Sequence, residues 1–329
     1  MNLQELIRTS GAYDATRAIQ VGVAMGIFEA VARNAQTGAY IARRIRASER
    51  GTELLCNALV SLDLLKKTKD RFSLTALARK HLLKSSPVSY ATMITFMEQN
   101  YRGFADLEKA VRTGRAIRRV DMFQDDPASL EKFIGAMHDL ATVRGDAKIV
   151  ARKLDLRPYR TLVDIGGGPG TFAIEFCKTN LQLTAAVFDL PATCRVARRL
   201  IKENDPTGRV SWYEGDYNRD PLPSGCDVAF LSNIIHSENE RDNQRLVRKV
   251  YQALAPGGLI AIKDHILNDA ATAPRDGAVF ALTMLLFTRG RSYTAKEVKQ
   301  WLVKAGFSKI KRLRMPAPMT ADMMVGIKE

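Results

Sequence analysis

The sequence predicts an α/β fold in which a helical, winged-helix-like N-terminal part precedes a doubly wound sheet finished by an antiparallel hairpin. Three observations carry this expectation. Residues 1–110 place apolar side chains at three- and four-residue spacing, interrupted by one short ribbon. From Thr161 onward, short apolar strands alternate with helices, the mark of parallel βαβ units. The last two strands, Phe307 to Met315 and Ala321 to Lys328, are joined by a Pro-rich turn too short for anything but an antiparallel pair.

In order along the chain, Leu3, Leu6 and Ile7 open an apolar pattern that Ala18, Val21, Ala24, Met25 and Phe28 continue. Thr52 to Leu65 reads as a helix with Leu54, Leu55, Ala58, Leu59, Leu62 and Leu65 on one stripe. A polar turn at Lys67 to Asp70, the strand Arg71–Leu74 and a helix from Thr75 to Leu83 complete a winged-helix order. Ser89 to Val111 and Leu130 to Leu154 supply two or three more helices. Strands are then expected at Thr161–Ile165, Thr184–Phe188, Val210–Tyr213, Cys226–Ile235 and Gly258–Ile266, with helices at Thr171–Lys178, Ala192–Asn204 and Leu246–Ala255 between them.

With 329 residues, 46% hydrophobic and 26% charged, the chain is long enough for one large core or two smaller ones. The longest apolar run, Phe280 to Phe287, is too short for a membrane span. Glu5, Arg8, Asp14 and Arg17 do not make a secretory leader, so a cytoplasmic location is expected. Cys56, Cys177, Cys194 and Cys226 lie far apart with no CxxC, which argues against a disulfide scaffold and a structural zinc site. The net charge of +15 is concentrated N-terminally, where residues 1–120 hold twenty basic against ten acidic side chains. No aromatic interleaving accompanies the basic runs, so nucleic acid is disfavoured as a partner.

The densest signal is Asp164-Ile165-Gly166-Gly167-Gly168-Pro169-Gly170, between the first strand of the second half and its helix. Glycines there allow a tight turn and close approach of a ligand to the backbone. Counted from Gly166, the sixth position is Thr171, so the dinucleotide fingerprint fails; a phosphate-binding Gly-Lys-Ser/Thr is absent too. Asp189 ends the next strand, where a carboxylate can accept both ribose hydroxyls, and Asp216 ends the third beside Tyr217. Three acids on successive strand ends without a phosphate-binding lysine fit a nucleoside lacking phosphates, and S-adenosylmethionine is the candidate.

These motifs, together with Phe188-Asp189-Leu190-Pro191, Asn233-Ile234-Ile235-His236, Leu254-Ala255-Pro256-Gly257-Gly258 and Gly290-Arg291-Ser292-Tyr293-Thr294, resemble the dimeric small-molecule O-methyltransferases of plant caffeate and flavonoid pathways and bacterial secondary metabolism. The resemblance covers nearly the whole chain. It implies a class I methyltransferase, Rossmann-like catalytic domain at 160–329, a helical linker and substrate roof at 111–159, and a dimerisation domain at 1–110 that pairs two copies. The cofactor is then S-adenosylmethionine, leaving as S-adenosylhomocysteine and held by Asp164, Gly166, Gly168, Gly170, Asp189, Leu190, Asp216, Tyr217 and Ser232. Phe133, Met137, Asn233 and Met284 are the expected acceptor contacts, with Phe280 and Phe287 also spaced to reach the site.

A phenol is mostly protonated near neutral pH, so transfer to it calls for a general base. Of the four histidines, His236 follows an apolar strand at the sheet's carboxyl edge and matches the family's base. Asp264 matches the acid that brackets it. His265, one residue on, is expected on the opposite sheet face by strand alternation. Two positions depart from the family pattern: Ser237 where an Asp often follows the base, and Ser292 where a second supporting acid is usual. No adjacent Asp-Asn pair follows the fourth strand, so no metal is expected. The alternatives are a carbon-methylating or non-methylating use of the same cofactor and, from another class, a cofactor-sensing winged-helix DNA-binding protein.

Overall fold

A computed structural model describes residues 1–117, 123–317 and 319–329; residues 118–122 of the expected linker and Pro318 of the last turn lie outside this set. The chain divides into two compact units, Met1–Tyr101 and Arg102–Glu329.

The first unit comprises α1 (Leu3–Gly11), α2 (Tyr13–Ala24), α3 (Ile27–Ala30), β1 (Gln36–Thr37), α4 (Gly38–Ile45), α5 (Glu49–Ser61), β2 (Leu65–Thr68), β3 (Arg71–Leu74), α6 (Ala76–His81) and most of α7 (Ala91–Phe104). The ribbon is the expected β2–β3 hairpin, with β1 added antiparallel to β3. α5 starts three residues earlier than its apolar pattern suggests because Ser48 caps it, accepting the Gly51 N–H at 3.2 Å. It also ends earlier, so Leu65 opens β2, and Leu54 points to solvent while Cys56 and Leu59 carry the core contact. Val23, Ile27, Phe28, Ile41, Leu59, Leu65 and Phe72 form that core.

The second unit adds α8 (Leu107–Thr113), α9 (Pro127–Val143), α10 (Asp146–Lys153), β4 (Thr161–Ile165), α11 (Thr171–Thr179), β5 (Thr184–Asp189), α12 (Pro191–Asn204), β6 (Val210–Glu214), β7 (Cys226–Ser232), a 3-10 turn (Ile235–Ser237), α13 (Glu240–Ala253), β8 (Leu254–Asp264), α14 (Arg275–Phe287), α15 (Ala295–Ala305), β9 (Phe307–Leu313) and β10 (Asp322–Lys328). Asp126 caps α9 ahead of Pro127, whose fixed φ suits a first helical turn. Gly145, at φ 74°, ends the α9 run and lets α10 start in a new direction.

The seven strands order as β6-β5-β4-β7-β8-β10-β9. β4 to β8 are mutually parallel, and β10 runs antiparallel to both β8 and β9. The expected terminal hairpin is present, with β10 as its inner strand. One face of the sheet buries Leu162, Val228, Phe230 and Ala261 against α10, α11 and α12; the other buries Val163, Ala229, Leu231 and Ile262 against α13 and α15. Phe230, fully buried on β7, meets the Phe176 ring edge-on at 4.9 Å, a burial that contributes about 1.5–3 kcal/mol. The strand order reverses between β4 and β7, and in such sheets the crevice at the carboxyl ends there is the ligand site. Among the described residues no helix is long and apolar enough to cross a membrane.

Candidate functional site

A cavity of about 570 Å³ opens at that reversal point. The glycine loop forms its floor. Gly166 takes φ 66°, and a Cβ there would collide with the Ile234 side chain; Gly168 takes φ 52° with only Ile134 within 4 Å, so its backbone lies open to the cavity. Asp189 fastens the loop: its carboxylate accepts the Gly168 N–H at 2.8 Å and the Leu190 N–H at 2.7 Å. Burial raises its pKa, with those N–H donors and Thr193 pulling the other way.

Asp164, at the end of β4, is fully buried and lines the same cavity. Neither of its oxygens closes a hydrogen bond. Burial, and then the nearby Asp189 charge, push its pKa up to about 8; the Ala173 N–H pulls weakly the other way. A buried carboxyl without a partner, beside a backbone cradle, is suited to a cationic ligand. Asp216 accepts the Asn218 N–H at 2.8 Å, which holds the loop after β6.

Of the residues expected to hold the cofactor, Asp164, Gly166, Gly168, Asp189, Leu190, Asp216, Tyr217 and Ser232 all line this cavity, as do Phe133, Met137 and Asn233 from the acceptor set. Gly170 does not line it; at φ 74° it starts α11, packed against Ile201 and Val187. Met284 does not either. It is buried on the face of α14 that it shares with Gly277 and Phe280, and Phe280 packs on His236.

His236 and Asp264 stand together beside the cavity wall made by Asn233, Ile234 and Ser237. β7 stops at Ser232 rather than Ile235 because Asn233 adopts φ 59°, a left-handed turn that Asn tolerates. The chain then enters the 3-10 turn that carries His236. Its Nδ1–H donates to Asp264 Oδ1 at 2.8 Å and its backbone N–H to Asp264 Oδ2 at 3.3 Å. Burial alone would raise the Asp264 pKa, yet the imidazole and the His265 N–H hold it below the usual carboxylate range. An ionised Asp264 fixes the proton on Nδ1 and leaves the lone pair on Nε2.

Strand alternation fails at His265. β8 ends at Asp264, so His265 turns to the same side as its neighbour, its ring centroid 6.3 Å from that of His236. Phe280 fits between them, 4.3 Å from His265 and edge-on to His236 at 5.0 Å. Burial lowers the His265 pKa to about 4, so this ring is neutral near pH 7. Ser292 gives the base no support: its hydroxyl donates to the Gly277 carbonyl at 2.7 Å.

Two features escape a reading of the sequence. Glu238 is a buried hub that accepts from Tyr217 OH (3.1 Å), Asn218 Nδ2 (2.8 Å) and Arg289 Nε (2.8 Å), while its carbonyl accepts from Tyr293 OH at 2.6 Å. A glutamate two residues past the base carries no motif; only its burial identifies it. Lys263 is buried and lines the cavity, and a lysine directly after the apolar run Leu259–Ile262, still within the strand, is the signal for it.

Gly290 closes the site from behind. A Cβ on it would run into the His236 carbonyl oxygen and lie 2.7 Å from the Glu238 backbone. Gly290→Ala should therefore displace the turn bearing His236 and cost about 1–3 kcal/mol; a thermal melt and a turnover assay check this, both expected to fall.

A glycine loop and acids at three strand ends, gathered at the reversal point of a parallel sheet with no phosphate-binding Gly-Lys motif, are the arrangement expected of a methyltransferase. Residues 104–308 match the O-methyltransferase domain and residues 7–84 the O-methyltransferase dimerisation domain. The chain belongs to that family and is an S-adenosylmethionine-dependent O-methyltransferase. It is 30% identical to 3-hydroxy-5-methyl-1-naphthoate 3-O-methyltransferase of Streptomyces sahachiroi, over 95% of this chain and 92% of the relative. It is 28% identical to the acetylserotonin O-methyltransferase of Mus musculus, over 98% and 88%. Among solved structures, human N-acetylserotonin methyltransferase in complex with SAM superposes with a TM-score of 0.89 at 25% identity, covering 99% of this chain and 97% of that one.

Proposed function

We propose that this enzyme methylates a hydroxyl of a small aromatic or polycyclic metabolite, with His236 as general base. The observation that carries this is the buried Asp264–His236 pair, whose Nε2 has no partner among the described residues. When bound, the sulfonium donor supplies a methyl group already activated for in-line displacement. His236 takes the hydroxyl proton at Nε2, and Asp264 stabilises the imidazolium that results. Phe133, Met137, Leu140, Ala141 and Phe287 give the cavity an apolar wall, with a thioether that adapts to flat rings. The two relatives named above act on a hydroxynaphthoate and on acetylserotonin, which supports the same acceptor class. Incubation with the donor and a panel of hydroxyarenes, read by mass spectrometry, tests it. A methyl ether is expected; methylation at carbon or nitrogen alone would overturn the assignment.

The donor is placed with its sugar on Asp189, its base between Asp216 and Tyr217, and its α-ammonium on Asp164. The last contact has a proton signature. In the ligand-free fold Asp164 keeps a proton up to about pH 8 that the unfolded chain has already released, so its contribution to stability is lost as pH rises toward 8. An ammonium placed against it ionises it. Donor binding near neutral pH should therefore release a proton, seen as a binding heat that depends on the buffer's ionisation enthalpy, and Asp164→Asn should abolish that dependence.

Homodimerisation through residues 7–84 completes the proposal. Leu3, Leu6 and Ile7 are exposed on α1, and Val21, Met25, Ile45 and Leu55 line an apolar groove between α2, α4 and α5. Light scattering should return twice the chain mass.

A further inference from the structure

The methyl-transfer chemistry leaves Lys263 without a task. Its side chain is 2% exposed, yet its Nζ makes a single hydrogen bond, to the neutral Asn233 Oδ1 at 3.2 Å, and sits 5.3 Å from the centre of the Phe172 ring. No carboxylate lies within ion-pair distance of it among the described residues; Asp146 and Asp264, which bear on its charge, are engaged by Arg144 and His236. An ammonium has three donors, and burying one this poorly matched is costly.

The surroundings indicate what would complete it. Leu162, Val228, Phe230, Leu259 and Ala261 share one sheet face, so alternation sets Asp164, Ser232 and Lys263 on that face at the ends of adjacent strands β4, β7 and β8. All three line the cavity, as does Asp146. The Asp164 carboxylate, Ser232 Oγ and Asp146 Oδ1 are buried with no hydrogen-bond partner. A floor carrying an unmatched carboxyl group, able to ionise against an ammonium, and an unmatched lysine is complementary to a zwitterion. Of the two reactants, the donor is the one with an amino-acid end by its chemistry. The acceptor oxygen must reach His236, which lies with Asp264 on the opposite face.

We propose that the Lys263 ammonium is the counter-charge for the donor's α-carboxylate, with Ser232 as an accessory donor. This rests on the donor placement given above. Lysine at this point makes the amino-acid end, rather than the nucleoside alone, a main source of affinity, and it lets the site discriminate against nucleosides that have lost that end.

The test compares S-adenosylhomocysteine with 5′-methylthioadenosine, which lacks the amino-acid end, by calorimetry on the wild type and Lys263→Met. The variant should lose about 10–100-fold in affinity for S-adenosylhomocysteine and keep its affinity for 5′-methylthioadenosine. Unchanged binding of S-adenosylhomocysteine, or equal losses for both ligands, would overturn the proposal. So would a rise in the acceptor KM with donor affinity intact, since the carboxylate being read would then belong to the acceptor. A measurement independent of any variant is available too: wild type should bind decarboxylated S-adenosylmethionine about 10–100-fold more weakly than the intact donor, and equal affinities would count against the proposal. If wild type bound neither S-adenosylhomocysteine nor 5′-methylthioadenosine, the donor placement itself would fail first.

Discussion

His236→Ala is expected to lower kcat by about 10²–10⁴-fold, the usual worth of a positioned general base. The donor's dissociation constant should stay close to the wild-type value, because His236 lies outside the nucleoside cavity and is held by Asp264 rather than by the glycine loop. Equal losses in both quantities would show that the histidine supports the fold of the site instead of taking a proton. Asp264→Asn should give a smaller loss with a shifted pH profile. An amide in place of the carboxylate no longer enforces the Nδ1 proton or stabilises the imidazolium, although it can keep the hydrogen bond that holds the ring. Because its folded-state pKa is depressed, Asp264 contributes stability above the ordinary carboxylate pKa, and that contribution is lost as the pH falls through its lowered value.

Asp189→Ala should weaken donor binding by about 10²–10³-fold, since it removes the hydrogen bond that holds the Gly168 N–H of the loop, the one to the Leu190 N–H, and the carboxylate proposed to accept the ribose hydroxyls. Much of this effect comes from the loop rather than from the ligand. Without the carboxylate, the Gly168 N–H loses its partner and the cradle its fixed shape. Titration calorimetry with S-adenosylhomocysteine reads the change directly, and an unaltered constant would take Asp189 out of the site. Turnover at saturating donor should be far less affected, which separates this variant from His236→Ala.

Much of the site is legible in the sequence because its parts are local. The loop Asp164 to Gly170 is a single contiguous turn, and its glycines are demanded by backbone geometry that few other residues can adopt. Asp189 and Asp216 follow from strand ends, which apolar runs mark well. Where the chain leaves regular structure, that legibility stops. His265 was assigned to the wrong face because alternation was carried one residue beyond the end of β8. Met284, expected among the acceptor contacts, does not line the cavity, because helical spacing gives a face of α14 but not how far along it the cavity reaches. Glu238 is invisible for another reason: the side chains that donate to it come from residues 217, 218, 243, 289 and 293, and only the folded chain gathers them.

The position of β10 has a consequence for how the enzyme is made. It follows every other strand in the chain, yet it is seated inside the sheet, hydrogen-bonded to β8 through Leu259–Asp264 and to β9 on its other side. Until β10 has been made and seated, β8 therefore offers a bare apolar edge, the kind of surface that recruits chaperones or pairs with a neighbouring polypeptide. The acid that steadies the base sits at the rim of that same edge, opposite Asp322. The pairing that places Asp264 and the pairing that covers the β8 edge are thus made in one step, when β10 is seated.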